Sequence, residues 1–318
     1  MTHVHIACSA RNAGPWIDAM LESLVAQTHR DWELWIRDDA STDDTWAKIE
    51  AWRAREPRIA SVVRGASALG HVQAYADVLA RLPGSVQVVA TIDADDVWMP
   101  QRLERTLAAL ESAQRTSPGP VLVYTDLQVV DVQLRIIAPS FWVYEGIDPE
   151  RSGLSSLAIQ NVAVSSTLLF NAELLAELHA ELHAELHSFP TTAVHQDWWI
   201  ALVAAATGRL VAVHEATVLY RQHSDNIVGA RRRSAWSRAA GAWARRARVA
   251  ADLDRVARQA EALVGRFGTR MSPADRRALE GLASIANLRG WRRRAAIARW
   301  RWFPPHGVVR NVGVCLRG

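Results

Sequence analysis

Over its first hundred residues the chain alternates short apolar runs with segments whose apolar residues recur at helical spacing. That alternation predicts βαβ units, and therefore a mostly parallel sheet with helices packed on its faces. Strands are expected at 4–8, 32–37, 59–63 and 86–92, each a short apolar run. Between them, helices are expected over 15–27, from the start signal Ser41-Thr42-Asp43-Asp44 to about residue 55, and over 70–82. Farther on, the pattern predicts a helix at 100–115, strands at 121–125 and 128–132, an irregular stretch 139–160 and an apolar segment 162–170. A helix at 198–206 and strands at 210–213 and 218–220 complete this part.

Two acidic clusters fall at the C-terminal ends of expected strands: Asp38-Asp39, and Asp93-Ala94-Asp95-Asp96. In open α/β sheets ligands bind along that edge. On an extended backbone Asp93 and Asp95 point to the same side and can share one ligand. Carboxylates so placed suit a hard divalent cation, and a cation suits a reaction that expels a diphosphate. The bland alternatives are a solvated acidic turn for the second cluster and a helix N-terminus for the first.

Residues 176–187 read Ala-Glu-Leu-His three times, which sets His179, His183 and His187 on one side of a helix. A metal site is one reading. A replicated surface insertion is favoured, because perfect short repeats are a mark of low complexity.

Charge divides the chain near Gly229-Ala230. Residues 1–230 carry 16 Lys+Arg against 28 Asp+Glu, whereas residues 231–318 carry 21 arginines against 5 acids. An acidic body, 1–230, is thus expected to carry a basic helical extension, 231–318, with breaks at Gly265, Gly268 and Pro273. Trp236, Trp243, Trp291, Trp300 and Trp302 are interleaved with its arginines. That composition suits a helix lying on an anionic membrane, or a helical bundle packed on the body. Nucleic acid is the weaker partner.

No apolar stretch reaches the roughly 18–20 residues that a bilayer-spanning helix needs. Met1-Thr2-His3 leads into an apolar run without a charged leader, so a cytoplasmic location is expected, peripheral on the membrane's inner face if the extension binds it. Two cysteines, Cys8 and Cys315, offer neither a disulfide framework nor a metal cluster.

Four blocks resemble the family 2 glycosyltransferases over about residues 3–229. They are Asn12 with the helix carrying Leu21, Ser23, Leu24 and Gln27-Thr28; Arg37-Asp38-Asp39-Ala40-Ser41-Thr42-Asp43; Asp93-Ala94-Asp95-Asp96-Val97-Trp98-Met99-Pro100 with Arg102-Leu103; and His195-Gln196-Asp197-Trp198-Trp199 followed by Tyr220-Arg221-Gln222-His223 and Asn226-Ile227-Val228-Gly229. The last two look most like rhamnosyltransferase-like members. The resemblance implies a GT-A type, Rossmann-like fold with a mostly parallel sheet flanked by helices.

It also implies an inverting transfer from a nucleotide-sugar donor, dTDP-rhamnose or a UDP-sugar, to a hydroxyl of a glycan or lipid-linked acceptor in cell-surface polysaccharide synthesis. Asp197 matches the general base. Asn12, Asp38, Asp39, Asp93 and Arg221 would bind the donor, with Asp38 or Asp39 on the base and Arg221 facing the diphosphate. Asp95, Asp93 and His223 would hold Mg²⁺ or Mn²⁺, and Trp198 would line the acceptor or sugar pocket. Ser165-Ser166-Thr167 depart from the family, which commonly has Gly there.

Two rivals remain. A haloacid-dehalogenase-type phosphatase needs a lysine downstream of its acidic motif, and the single lysine, Lys48, lies upstream. A catalytically degenerate nucleotide-sugar-binding or scaffold protein would keep the donor residues without turnover.

Overall fold

The computed structural model describes residues 2–184, 188–223, 242–289, 291, 292 and 295. Strands β1 (Val4–Ala10), β2 (Trp32–Asp38), β3 (Ile59–Arg64) and β4 (Val88–Asp93) alternate with helices α1 (Ile17–Val25), α2 (Thr45–Arg53) and α3 (His71–Arg81). They pair in parallel in the order β3-β2-β1-β4, as the alternation predicts.

Beyond β4 the sheet is mixed. A short β5 (Val97–Trp98) and helix α4 (Arg102–Thr116) lead to β6 (Val121–Val130), β7 (Ile136–Ala138), and two short helices, α5 (Phe141–Glu145) and α6 (Leu154–Leu157). The three-residue β8 (Leu169–Asn171) lies antiparallel between β4 and β6. Helix α7 (Ala172–Ala184), helix α8 (Gln196–Thr207) and β9 (Arg209–Arg221) follow, with β9 parallel to β6. Because β8 is flanked on both sides by antiparallel neighbours, β6 and β9 run the same way as β1 to β4. The C-terminal ends of all these strands therefore share one edge.

Each face is sealed by helices. Leu21 and Leu24 of α1, Ile49 of α2 and Leu103 of α4 pack on one side, against Ile6, Cys8 and Ile92. Leu79 of α3, Leu178 of α7 and Trp199 of α8 pack on the other, against Ala7, Val89 and Phe170. Burying each such side chain contributes about 1.5–3 kcal/mol.

Several expectations need correction. The strands expected at 121–125 and 128–132 are one strand, β6. The Asp126 carboxylate does not break it, because that carboxylate accepts the Phe141 and Trp142 amides and the Ser140 hydroxyl at the start of α5. The strands at 210–213 and 218–220 are likewise one, β9. The irregular stretch 139–160 holds α5 and α6.

The described part of the Ala-Glu-Leu-His repeat is buried along one face, not a surface segment. Leu174, Leu178 and Leu182 are fully buried, and the buried Glu181 accepts the Trp199 indole N–H at 2.9 Å. Leucines four apart form one stripe, and the stripe faces α3 and α8. His179 Nε2 meets the Leu79 carbonyl at 2.8 Å, the side chain of His183 is not among those described, and His187 lies outside the described residues.

The described part of the extension is helical and packed on the body. Helix α9 (Ala242–Phe267) runs through Gly265 without a break, and α10 (Pro273–Ser284) starts at Pro273 behind an Ser272 cap. Ala260, Leu263, Phe267, Leu279 and Leu282 join the same core as α3, α7 and α8. Gln259, fully buried in α9, accepts the Val194 amide at 2.7 Å. The junction at 229–230, Trp236, Trp300, Trp302 and Cys315 lie outside the described residues, and Trp291 is exposed.

Candidate active site

The edge where β1, β2, β4 and β9 end gathers most of the expected residues. Asp38 closes β2, Asp93 closes β4, and Asp95 and Asp96 follow in a tight turn. Helix α8 runs back across the sheet into β9, so its first turn, with Asp197, lies on the same edge.

One serine ties the two acidic groups together. Ser165, in the 3₁₀ turn Ser165–Thr167 before β8, donates its Oγ to Asp93 Oδ1 at 2.9 Å and its backbone N–H to Asp197 Oδ2 at 3.1 Å. Asp93 also accepts the Tyr75 hydroxyl at 2.7 Å, while its amide donates to Ser166 Oγ at 2.9 Å. Asp197 accepts a second amide, that of Trp198, at 2.6 Å.

Burial, followed by the charge of Asp95, raises Asp93 to about 6. Burial, followed by the charge of Asp93, raises Asp197 to about 7. The Asp197 value lies where a proton acceptor works, near neutral pH. Asp96 is pushed far higher by burial and by its two acidic neighbours. It accepts the Arg221 amide at 3.2 Å and joins β9 to the turn.

Asp95 is partly open, and its Oδ2 lies 3.0 Å from His223 Nε2. His223 stacks on Trp16, with ring centroids 5.1 Å apart. Of the expected metal trio, Asp95 and His223 therefore meet, while Asp93 stands beside them, turned onto Tyr75 and Ser165. The Asp95 carboxylate and the His223 imidazole are donors that Mn²⁺ accepts, while Mg²⁺ would rely on the carboxylate oxygens, with Asp93 turning toward the ion. The mutual repulsion of Asp93 and Asp95 is the strain a cation would relieve.

The donor-side expectations divide. Asp39 is buried and already engaged, accepting the Leu69 and Gly70 amides at 2.8 and 2.9 Å and lying 3.3 Å from Arg37 Nε. It holds the entry to α3 through these contacts. Asp38 Oδ2 is buried without a hydrogen-bond partner, with Arg64 Nε 3.8 Å away. Its ion-pair partner Arg64 lines an open, shallow cavity of about 400 Å³ together with Ala40, Ser41, Gly65 and Ala66.

Asn12 adopts a left-handed backbone, φ 48°, and its Oδ1 accepts the Thr42 amide at 2.9 Å. It braces the loop that shapes this cavity. Arg221 directs Nε to the Asp95 carbonyl and a terminal nitrogen to that of Val132, both at 2.9 Å. It secures the acidic turn through backbone carbonyls. Trp198 is a correction to the expected pocket lining: it is 8% exposed, and its indole donates to the Leu157 carbonyl at 2.6 Å, so it anchors α8 in the core.

Four residues on this edge carried no assigned role in the sequence reading. Ser165 and Ser166 are the polar break in an apolar segment, which was their only signal. Tyr75 lies on α3. His71 meets His195 at 3.2 Å beside Asp197, where burial, His71 and Arg255 push His195 down to about 4.

Residues 6–159 match the family model described as glycosyl transferase family 2. The family 2 region thus spans the sheet from β1 through α6 and contains Asp38, Asp93 and Asp95. Over 104 residues, 33% of this chain, the sequence is 33% identical to a putative teichuronic acid biosynthesis glycosyltransferase, TuaG, of Bacillus subtilis, covering 40% of that protein. Over 112 residues, 35% of this chain, it is 30% identical to the Escherichia coli UDP-Glc:alpha-D-GlcNAc-diphosphoundecaprenol beta-1,3-glucosyltransferase WfaP, covering 43% of it. The chain thus matches less than half the length of these curated relatives.

The solved mannosyltransferase PcManGT of Pyrobaculum calidifontis, in complex with GDP-Man and Mn²⁺, superposes with a TM-score of 0.56 at 18% identity, over 99% of this chain and 80% of that one. The fold around the family 2 region is GT-A, as the resemblance implied: a mostly parallel sheet flanked by helices, with the acidic turn on its C-terminal edge.

Proposed function

We propose that the chain is an inverting glycosyltransferase that moves a sugar from a pyrimidine nucleoside-diphosphate donor to a hydroxyl of a lipid-linked glycan acceptor in cell-surface polysaccharide synthesis. The observation that carries this reading is Ser165, bonded at once to Asp93 and Asp197. Through one residue it links a carboxyl raised to about 7 to the first carboxylate of the acidic turn, which supports reading the two as one site.

In the proposed reaction the acceptor oxygen attacks the anomeric carbon while Asp197 takes its proton. The new carbon–oxygen bond forms as the bond to the β-phosphate breaks, and the nucleoside diphosphate leaves with the electron pair. A divalent ion held by Asp95 and His223, beside Asp93, would supply Lewis-acid stabilisation of that leaving charge. Asp38 Oδ2 carries no hydrogen bond beyond its Arg64 ion pair, and we assign the ring N–H of uracil or thymine to this side of the site. The dTDP-rhamnose and UDP-sugar donors both carry that group. The acceptor reading draws on WfaP, whose name specifies a diphosphoundecaprenol-linked sugar.

A thermal-shift screen of nucleotide sugars with Mn²⁺ or Mg²⁺ tests the donor assignment. Stabilisation by UDP- or dTDP-sugars, at about 2.7 kcal/mol for a hundredfold excess over Kd, is the expected result. A response confined to purine nucleotides would refute it.

The extension fits a peripheral role at the membrane, through its 21 arginines in residues 231–318 and the exposed Trp291. Removing residues 290–318 should lower sedimentation with anionic vesicles and leave that with neutral vesicles unchanged. Equal binding with and without the segment would end that part of the reading.

A further inference from the structure

The opposite edge of the sheet holds a second cluster that sugar transfer does not use. His3 and His5 stand two residues apart at the start of β1, so both side chains fall on one face. Glu33 on β2 is the register partner of His5. His5 Nε2 lies 3.0 Å from Glu33 Oε1, and His3 Nε2 lies 3.7 Å from Glu33 Oε2. Among the described residues this is the one trio of His, Cys, Asp or Glu whose ligand atoms all come within 4.8 Å of one another.

The surroundings are those of a ligand set held in place. His3 Nδ1 is bonded to Asp31 Oδ1 at 2.7 Å, which fixes the ring and leaves Nε2 toward Glu33. Glu33 Oε1 accepts the Trp35 indole N–H at 2.6 Å, which orients the carboxylate and leaves Oε2 toward His3. A carboxylate behind a ligating imidazole, and a hydrogen bond behind a ligating carboxylate, are the supports that tune transition-metal sites. His5 is nearly buried and His3 is partly open, so one side of the trio faces solvent and can admit an ion with a water as fourth ligand.

We propose that His3, His5 and Glu33 bind Zn²⁺, with Asp31 and Trp35 as positioning residues, and that the ion ties β1 to β2 at the edge opposite the cleft. Two imidazoles and one carboxylate favour Zn²⁺ over the harder Mg²⁺, which prefers an all-oxygen set. The proposal is independent of the glycosyltransferase reading, because none of these residues belongs to the cleft.

The test is equilibrium dialysis of the tag-free, EDTA-stripped full chain against Zn²⁺ in excess Mg²⁺, with the melting temperature followed in parallel. One Zn²⁺ retained per chain and a raised melting temperature are expected. His3→Ala and Glu33→Gln should each abolish retention, and Asp31→Asn should weaken it by about 10–100-fold. Since His3 is 41% exposed, His3→Ala should keep the melting temperature of the stripped wild type. Asp95→Asn should retain Zn²⁺ as the wild type does, which separates this site from the cleft. No retained Zn²⁺, or equal retention by wild type and His3→Ala, would overturn the proposal.

Discussion

The Asp197→Asn variant is expected to lose about 10²–10⁴-fold in kcat and to keep its affinity for the donor. The amide cannot take the acceptor's proton, yet it preserves the size of the carboxyl and can still accept from the Ser165 or Trp198 amide. Steady-state kinetics give the first quantity and donor-induced thermal shift the second. If turnover and donor binding both survive, the base has been misassigned.

The pH profile of the wild type adds a second readout. A base must be deprotonated to act, so kcat/KM should rise through the group's value of about 7, and the Asn variant should lose that limb. Stability moves the other way. Asp197 holds its proton in the folded chain to a higher pH than in the unfolded one, where a carboxyl titrates near 3.9. Its contribution is therefore complete below about pH 4 and lost as pH rises through about 7. Asp197→Asn should accordingly flatten the decline in melting temperature over that window.

The second large effect belongs to Asp95. Asp95→Asn, or EDTA added to the wild type, should lower transfer by about 10²–10⁴-fold, since a bound ion supplies several kcal/mol and each 1.36 kcal/mol is tenfold. Mn²⁺ or Mg²⁺ should restore the chelated wild type and fail to restore Asp95→Asn. Full activity in EDTA would contradict a role for an ion in the cleft. Unlike Asp197→Asn, this change should weaken donor binding as well, because the diphosphate loses its counter-charge.

The sequence made the framework legible because apolar periodicity and acidic strand ends report local physics. The four parallel strands were visible in their apolar runs, and Asp93 and Asp95 in their position after one of them. What it hid depends on contacts across the chain. Asp38 and Asp39 are adjacent and chemically alike, and distant partners set them apart: Leu69, Gly70 and Arg37 reach one, Arg64 the other. Trp198 next to a catalytic candidate looks like pocket lining until Leu157 is found at its indole.

The Ala-Glu-Leu-His repeat has the composition of filler, yet its leucine spacing is that of a buried stripe, and that stripe was the signal to follow. Ser165 shows in the sequence only as a polar break and a departure from the family pattern, and its contacts are not legible there. Its importance is that residues 72 positions before it and 32 after it converge on its hydroxyl and amide.

The Val194 amide, three residues ahead of Asp197, is held by Gln259, which the ribosome adds 65 residues later. The loop that aims the proposed proton acceptor is thus made well before the side chain that steadies it. On a growing polypeptide the donor half of the cleft can take shape first, and the acceptor half gains its brace only when α9 has emerged and docked. Competence for sugar transfer would then arrive late in translation, after the strand that carries Asp93 has long been in place.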